Sequence, residues 1–415
     1  MTINTLKVYL VGGAIRDTLL ALPVTEHDYV VVGATPEYMI AQGFSQVGAD
    51  FPVFLHPHTH DEYALARTER KSGNGYLGFS VHASPEVTLE EDLIRRDLTI
   101  NAMAIEVNGL FDSRLKHGSF NKAHVIDPYG GLQDIERKQL RHVSDAFAED
   151  PVRVLRLARF ASRYAPLGFS IAEETVKLVQ KMRDDGELNH LVAERVWAET
   201  RKALMQTWSD VYFSTLSQLD VLGVVMPALS IAREEGLYTE KLSITNHALR
   251  LAHCFSLDEM SRFALLCTTF LNFENDKSLA FPTLFNDFCQ KLKVPKSYSH
   301  FAELLLTQFD NLQNFSQLSS ERLFDLIKTC NSLKQPNILQ QLLIVSKIYQ
   351  LAFDQMKLEK ILATIQPIGI NDVDKDLKGK AIGEAIEQLR LEKLAEIIAD
   401  KLTFGKIDKN LEDKL

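Results

Sequence analysis

The character of the chain changes near residue 145, and that change restricts its fold more than any other feature. Before it, β-branched and aromatic runs alternate with glycine-bearing turns: "KVYLVGG" from Lys7, "HDYVVVG" from His27, "DFPVFLH" from Asp50, "DEYALART" from Asp61 and "LTINAMAIEVNG" from Leu98. Such runs form strands, so this part reads as a small α/β domain. After it, apolar residues recur at helical spacing in "VRVLRLARFASRY" from Val152, "AERVWAETRKALM" from Ala193, "RFALLCTTFL" from Arg262 and "ERLFDLIKTC" from Glu321. Pro227, Gly236, Pro282, Pro295, Pro336 and Pro367 divide this helical part into packets. A chain of 415 residues with 46% hydrophobic residues can bury several cores, so three or four subdomains are expected. No apolar run approaches the roughly 20 residues that cross a bilayer, and Met1 to Lys7 does not read as a signal peptide. The expectation is a cytoplasmic protein with no membrane partner. Cys254, Cys267, Cys289 and Cys330 show no CxxC spacing and read as buried thiols. A net charge of -9 argues against coating nucleic acid over the whole surface, but it leaves room for a local basic strip.

Chemistry first shows in "YLVGGAIRDTLLALPVTEHDYVVVG". A strand ends at Gly12 and Gly13, a helix follows, and Arg16 lies about one turn into it. Glycine lets backbone approach an anion, and a helix start offers free N–H groups to phosphate. The next strand opens with Glu26-His27-Asp28, and residues two apart on a strand share a face. Two carboxylates beside a phosphate-binding turn suit Mg²⁺, which takes one or two carboxylates plus substrate phosphates. In isolation the pair reads as a solvated strand end.

A second feature is "AFAEDPVRVLRLARFASRY" from Ala146. It delivers Arg153, Arg156, Arg159 and Arg163 with no carboxylate between Pro151 and Ile171. At about 100° per residue these arginines fall on one face, opposite Val154, Leu155, Leu157 and Ala158. The expectation is an unpaired cationic stripe. Asp150 and Arg153, three apart, form an acceptor beside a donor. Cytosine and adenine present an amine donor beside a ring-nitrogen acceptor, whereas uracil and guanine present an oxygen beside an N–H. Such a pair welcomes C and A.

The segments "VGGAIRD", "EHDYVVVG", "FPVFLHPHTHDEYALARTERKSG", "RRDLTINAMA", "DPYGGLQDI", "EDPVRVLRLARFASRY" and "ERVWAETRKAL" run in order through residues 7 to 204. In these the chain resembles the bacterial class II tRNA nucleotidyltransferases, the CCA-adding enzymes. "DVDKDLKGKAIGEAI" resembles the family's tail. The resemblance implies an α/β nucleotidyltransferase head over 1–145, then an all-α neck over 146–205, a body over 206–335 and a tRNA-binding tail over 336–415. It implies that Gly13, Arg16 and Arg96 meet the nucleotide, and that Glu26 and Asp28 hold Mg²⁺, with Glu26 standing where aspartate is usual. Glu62 is a candidate third carboxylate. Asp150 and Arg153 would act as a protein template, with Arg156 also at the nucleotide. The implied reaction is template-independent addition of C, C and A to the tRNA 3′ end from CTP and ATP, with pyrophosphate leaving. A poly(A) or A-adding polymerase and a non-catalytic RNA-binding relative are the alternatives. "DPYGG", at Asp127 to Gly131, is a flexible loop or an ordinary turn, and 112–124 is an RNA contact or a surface insertion. Thr268-Thr269 stand where some relatives carry a phosphohydrolase His-Asp pair, with His247 the remnant of a first ligand or a helix-face histidine, so hydrolase activity is not expected.

Overall fold

The alternation that marks the first 145 residues sends successive side chains to opposite faces of one sheet. The computed structural model describes residues 6–47, 53–71, 79–111, 120–236, 240–272, 280–348 and 355–399. Strands β1 (Lys7–Val11), β2 (Asp28–Val32), β3 (Ser45–Val47), β4 (Val53–Leu55), β5 (Glu62–Leu65) and, after a hairpin of β6 (Arg67–Lys71) and β7 (Phe79–Ala83), β8 (Ala104–Val107) are formed. The six-stranded sheet runs in the order β3-β4-β5-β2-β1-β8. Its pairs are antiparallel except β2 with β5, which is parallel. Val8, Leu10, Tyr29, Val31, Tyr63 and Leu65 enter one core with Ile15 and Met39. Tyr9, Val11, Val30 and Ala104 enter the other, with Leu89 and Leu93. Both faces are covered, as a mixed sheet flanked by helices requires. Tyr29 stacks on its register partner Tyr63 with ring centroids 4.4 Å apart.

Helices α1 (Gly13–Leu19), α2 (Pro36–Ala41), α3 (Leu89–Leu93) and α4 (Gly131–Arg137) accompany the sheet. They are followed by α5 (Val152–Tyr164), α6 (Glu173–Asp184), α7 (Ala193–Leu204) and α8 (Asp210–Gln218). One departure from an all-helical second part is a parallel bridge in which Ser170 and Ile171 pair with Gln139 and Leu140. The fold class is therefore the expected one, an α/β head followed by helices.

The chain divides into two compact units, Met1–Ser230 and Ile231–Leu415. In the second, helix Glu259–Cys267 buries Phe263 to Cys267 completely and packs on Glu240–Cys254, Lys296–Thr307 and Pro336–Ser346. Of the cysteines expected to be buried, Cys267 and Cys330 are buried and Cys289 is partly covered, but Cys254 is exposed. It is the last residue of its helix and falls beyond that helix's buried face. No helix among the described residues is long and apolar enough to cross a membrane.

Candidate active site

β1 runs out of partners where Val11 faces Asp28, and the chain turns at Gly12 into α1. Gly12 has φ +67, in the left-handed region that favours glycine, and a Cβ there would stand 2.9 Å from Nη1 of Arg96. The conformational demand thus falls on Gly12. Gly13 becomes the first residue of α1, where a Cβ would have ordinary contact with Arg16 at 3.5 Å. Arg96 is fixed from below: Nη2 donates to Asp92 Oδ2 at 3.2 Å and Nη1 to the Asn101 carbonyl at 3.4 Å. Its Nε is buried with no partner. A donor held unspent beside a glycine turn is poised for an anion's oxygen. Asp92 follows a capping box, in which Thr88 Oγ1 accepts from Glu91 N–H and Glu91 accepts from Thr88 N–H. Burial alone would raise the Asp92 carboxyl, but Arg95 and Arg96 outweigh it and hold it below the usual range.

Asp28 is the first residue of β2 and pairs in register with Glu62 of β5, so the candidate third carboxylate lies on the adjacent strand. Glu26 corrects an expectation. It precedes the strand, because β2 has no partner beyond Val11, and the two-residue alternation does not govern it. Its charge is still felt at Asp28. Although solvent reaches Asp28, packing around it pushes its carboxyl upward; Glu62 and Glu26 add to the push and Arg96 opposes it. Among the described residues no three His, Cys, Asp or Glu side chains could hold a metal unaided. Hard carboxylate oxygens here fit a divalent cation only if a ligand's phosphates complete its shell.

The stripe on α5 is not unpaired. Arg156 Nε donates to Asp97 Oδ2 at 2.7 Å, Arg159 Nε to Glu199 Oε2 at 2.7 Å and Arg163 Nη2 to Asp17 Oδ2 at 3.0 Å. Arg153 Nη1 donates to the Ala146 carbonyl at 2.9 Å. The acids come from α1, from the segment after α3 and from α7, where a local charge count cannot see them. Arg16, only 4% exposed, donates Nε and Nη2 to Asp17 at 2.9 and 3.0 Å and Nη1 to Asn101 Oδ1. Its guanidinium lies over the Phe160 and Tyr164 rings of α5, 5.3 and 5.4 Å from their centroids. Asn101 Nδ2 in turn donates to Asp97 Oδ1 at 2.9 Å. Arg163, Asp17, Arg16, Asn101, Asp97 and Arg156 therefore form one unbroken polar chain between the sheet domain and α5. Arg16 acts in it as a strut.

Asp150 lies just before α5. Its Oδ1 accepts from Val152 N–H at 3.1 Å, and both carboxylate oxygens accept from Arg195 of α7. Asp150 and Arg153 are joined through backbone, Arg153 N–H to Asp150 carbonyl at 3.0 Å, and their side chains meet other groups. Asp17, Asp97, Asn101 and Arg195 were not singled out in the sequence. The signal that could have found them is the acid-free run of arginines itself, which demands carboxylates from elsewhere.

The "DPYGG" stretch forms a capped turn: Asp127 accepts from Gly131 and Leu132 N–H at 2.7 and 2.9 Å, and Tyr129 donates to the Glu90 carbonyl at 2.9 Å. Of the 112–124 segment, Arg114, Lys116 and His117 lie outside the described residues, while exposed Lys122 pairs with Glu136. Thr268 and Thr269 are buried and donate their hydroxyls to the Leu265 and Leu266 carbonyls; His247 is exposed.

Residues 8–141 match the poly A polymerase head domain, and 168–232 match the probable RNA and SrmB-binding site of polymerase A. The chain is similar to the Bacillus stearothermophilus CCA-adding enzyme in complex with CTP, at 22% identity and a TM-score of 0.64, covering 99% of this chain and 95% of that one. It is similar to the Thermotoga maritima CCA-adding enzyme complexed with tRNA, at 21% identity and a TM-score of 0.57, covering 96% and 91%. A structure described as a tRNA-processing enzyme, apo form I, matches at 25% identity and a TM-score of 0.58, covering 94% and 93%.

Proposed function

We propose that this chain is a nucleotidyltransferase that adds C, C and A to the 3′ end of tRNA from CTP and ATP, because residues 8–141 match the poly A polymerase head domain and the fold is similar to that of the CCA-adding enzymes. The observation that carries the reading is the Arg96 guanidinium, whose Nη1 lies beside Gly12, whose Nε has no partner and whose charge acts on Asp28. A triphosphate satisfies the donor and supplies the oxygens that the carboxylates lack.

Glu26 and Asp28 would hold Mg²⁺, which when bound acidifies the tRNA hydroxyl and neutralises phosphate charge. The chain's own residues do the rest. Arg96 orients the triphosphate, and Gly12 keeps the backbone low enough to admit it. Arg16 fixes the turn to α5. Asp150 offers an acceptor and Arg153 a donor to the base edge, with Arg156 beside them at the nucleotide. The hydroxyl attacks the α-phosphate, a P–O bond forms, and the bond to pyrophosphate breaks. A tRNA substrate places the protein in the cytoplasm. No phosphohydrolase activity is part of this reading, since the hydroxyls of Thr268 and Thr269 are committed to carbonyls.

The test is incubation of tRNA lacking its 3′ CCA with Mg²⁺ and each nucleoside triphosphate, alone and in sequence. Two C additions followed by one A are expected; repeated A addition alone would assign a poly(A) polymerase instead. Asp28→Ala should abolish incorporation while tRNA binding persists, and near-normal turnover would remove Asp28 from the chemistry.

A further inference from the structure

We propose that Arg195 of α7 is a positioning residue that sets base choice by clamping Asp150. The inference rests on the reading of Asp150 as the acceptor that meets the nucleotide's amine. Arg195 donates Nη1 to Oδ1 at 3.1 Å and Nη2 to Oδ2 at 2.9 Å, a two-pronged pair that fixes the plane of the carboxylate as well as its position. The Val152 N–H takes a second direction on Oδ1 at 3.1 Å. An ionised carboxylate offers about four lone-pair directions. Three are taken, and the one that remains lies on Oδ2. One acceptor direction suits one amine hydrogen, which is what the pairing edges of cytosine and adenine each present at that position.

The clamp also determines what Asp150 is unable to do. Paired to a guanidinium on both oxygens, the carboxylate acts as an acceptor, so it opposes the oxygen edges of uracil and guanine. Released, the side chain keeps one backbone donor, turns about its own bonds, and presents either oxygen in more than one direction. The two side chains are 29% and 21% exposed, sheltered enough for the geometry to hold and open enough for the free direction to be reached. α5 and α7 pack directly against each other, so the clamp joins α7 to the residue that leads into α5. Arg195 comes from "ERVWAETRKAL", one of the segments that carry the resemblance, and on sequence alone Arg195 has no assigned role.

The test uses the full-length chain in single-nucleotide incorporation assays with CTP, UTP, ATP and GTP, for the wild type, Arg195→Ala, Arg195→Lys, Asp150→Ala and the double alanine variant. Arg195→Ala is expected to lower the CTP-to-UTP and ATP-to-GTP ratios of kcat/KM about tenfold, the effect of one misaligned polar contact. Arg195→Lys should fall between, because an ammonium cannot fork across two oxygens. The double variant should match Asp150→Ala, since without the carboxylate there is nothing to clamp. Equal loss on all four nucleotides, unchanged ratios, or effects that add in the double variant would each overturn the clamp. If Arg195→Ala does not fold by circular dichroism, Arg195→Lys decides alone, and wild-type ratios in it overturn the proposal. A wild-type chain with no preference for C and A overturns the proposed function and the clamp together; selectivity that survives in the variants overturns the clamp alone.

Discussion

Asp97 concentrates the energetics of the site in one side chain. It accepts from Leu98 N–H at 2.9 Å, Asn101 Nδ2 at 2.9 Å and Arg156 Nε at 2.7 Å, and it is buried. Burial alone would raise its carboxyl; Arg156 and Asn101 outweigh that and hold it far below the ordinary range. A depressed carboxyl contributes stability that is present above its unfolded value and lost as pH falls toward the folded one. Asp97→Asn should therefore cost about 3 kcal/mol near neutrality, the usual scale for breaking a buried ion pair. The gap from wild type should narrow from about pH 4 downward, as the unfolded wild-type chain takes up the proton. Urea midpoints of both proteins across that range are the measurement. A gap that stays constant with pH would mean that Asp97 matters for its shape and not for its charge.

At the scale of elements, α5 is a helix held by other elements' acids. Its Arg159, expected from sequence to be part of an unpaired cationic stripe, has a side chain 11% exposed and locked to a Glu199 that is 7% exposed. Arg159→Ala leaves Glu199 with Lys202 at 3.4 Å as its ion-pair partner among the described residues, and with the more distant charge of Arg156. It should cost about 2–3 kcal/mol of stability by denaturant titration and leave the salt dependence of tRNA binding as it was. A binding slope reduced by about one, with stability intact, would mean instead that Arg159 meets a phosphate of the RNA. The strands and α5 were legible because alternation and helical spacing are local signals. Glu26, Asp28 and Arg96 stood out as candidates because they fall in compact motifs. The partners were not: Asp17, Asp97, Arg195 and Glu199 act on residues 40 to 146 positions away, and a charge census within one helix has no access to them. Nor could two adjacent glycines reveal which takes the positive φ; that depends on where β1 loses its partner.

For the molecule as a whole, each of the two units has its own buried apolar residues on either side of residue 230. The chain has two tryptophans, Trp197 and Trp208, both in the first unit. Tryptophan fluorescence therefore follows Met1–Ser230, while far-ultraviolet circular dichroism follows helices in both. In guanidinium chloride the two probes should give transitions that do not coincide, the sign that more than one cooperative unit is melting. Superimposable curves would show that 415 residues unfold in one step.

The polar chain from Asp17 to Arg163 also bears on how the protein is made. A ribosome delivers the sheet domain first, with Asp17 lacking Arg163 and Tyr164, and Asp97 lacking Arg156. Arg159 then waits for Glu199, and Asp150 for Arg195, until α7 has cleared the exit tunnel. The nascent sheet domain thus carries acids whose counter-charges have yet to be synthesised, and Asp17 and Asp97 find theirs only once the chain has grown past Leu140 through Arg156 to Arg163.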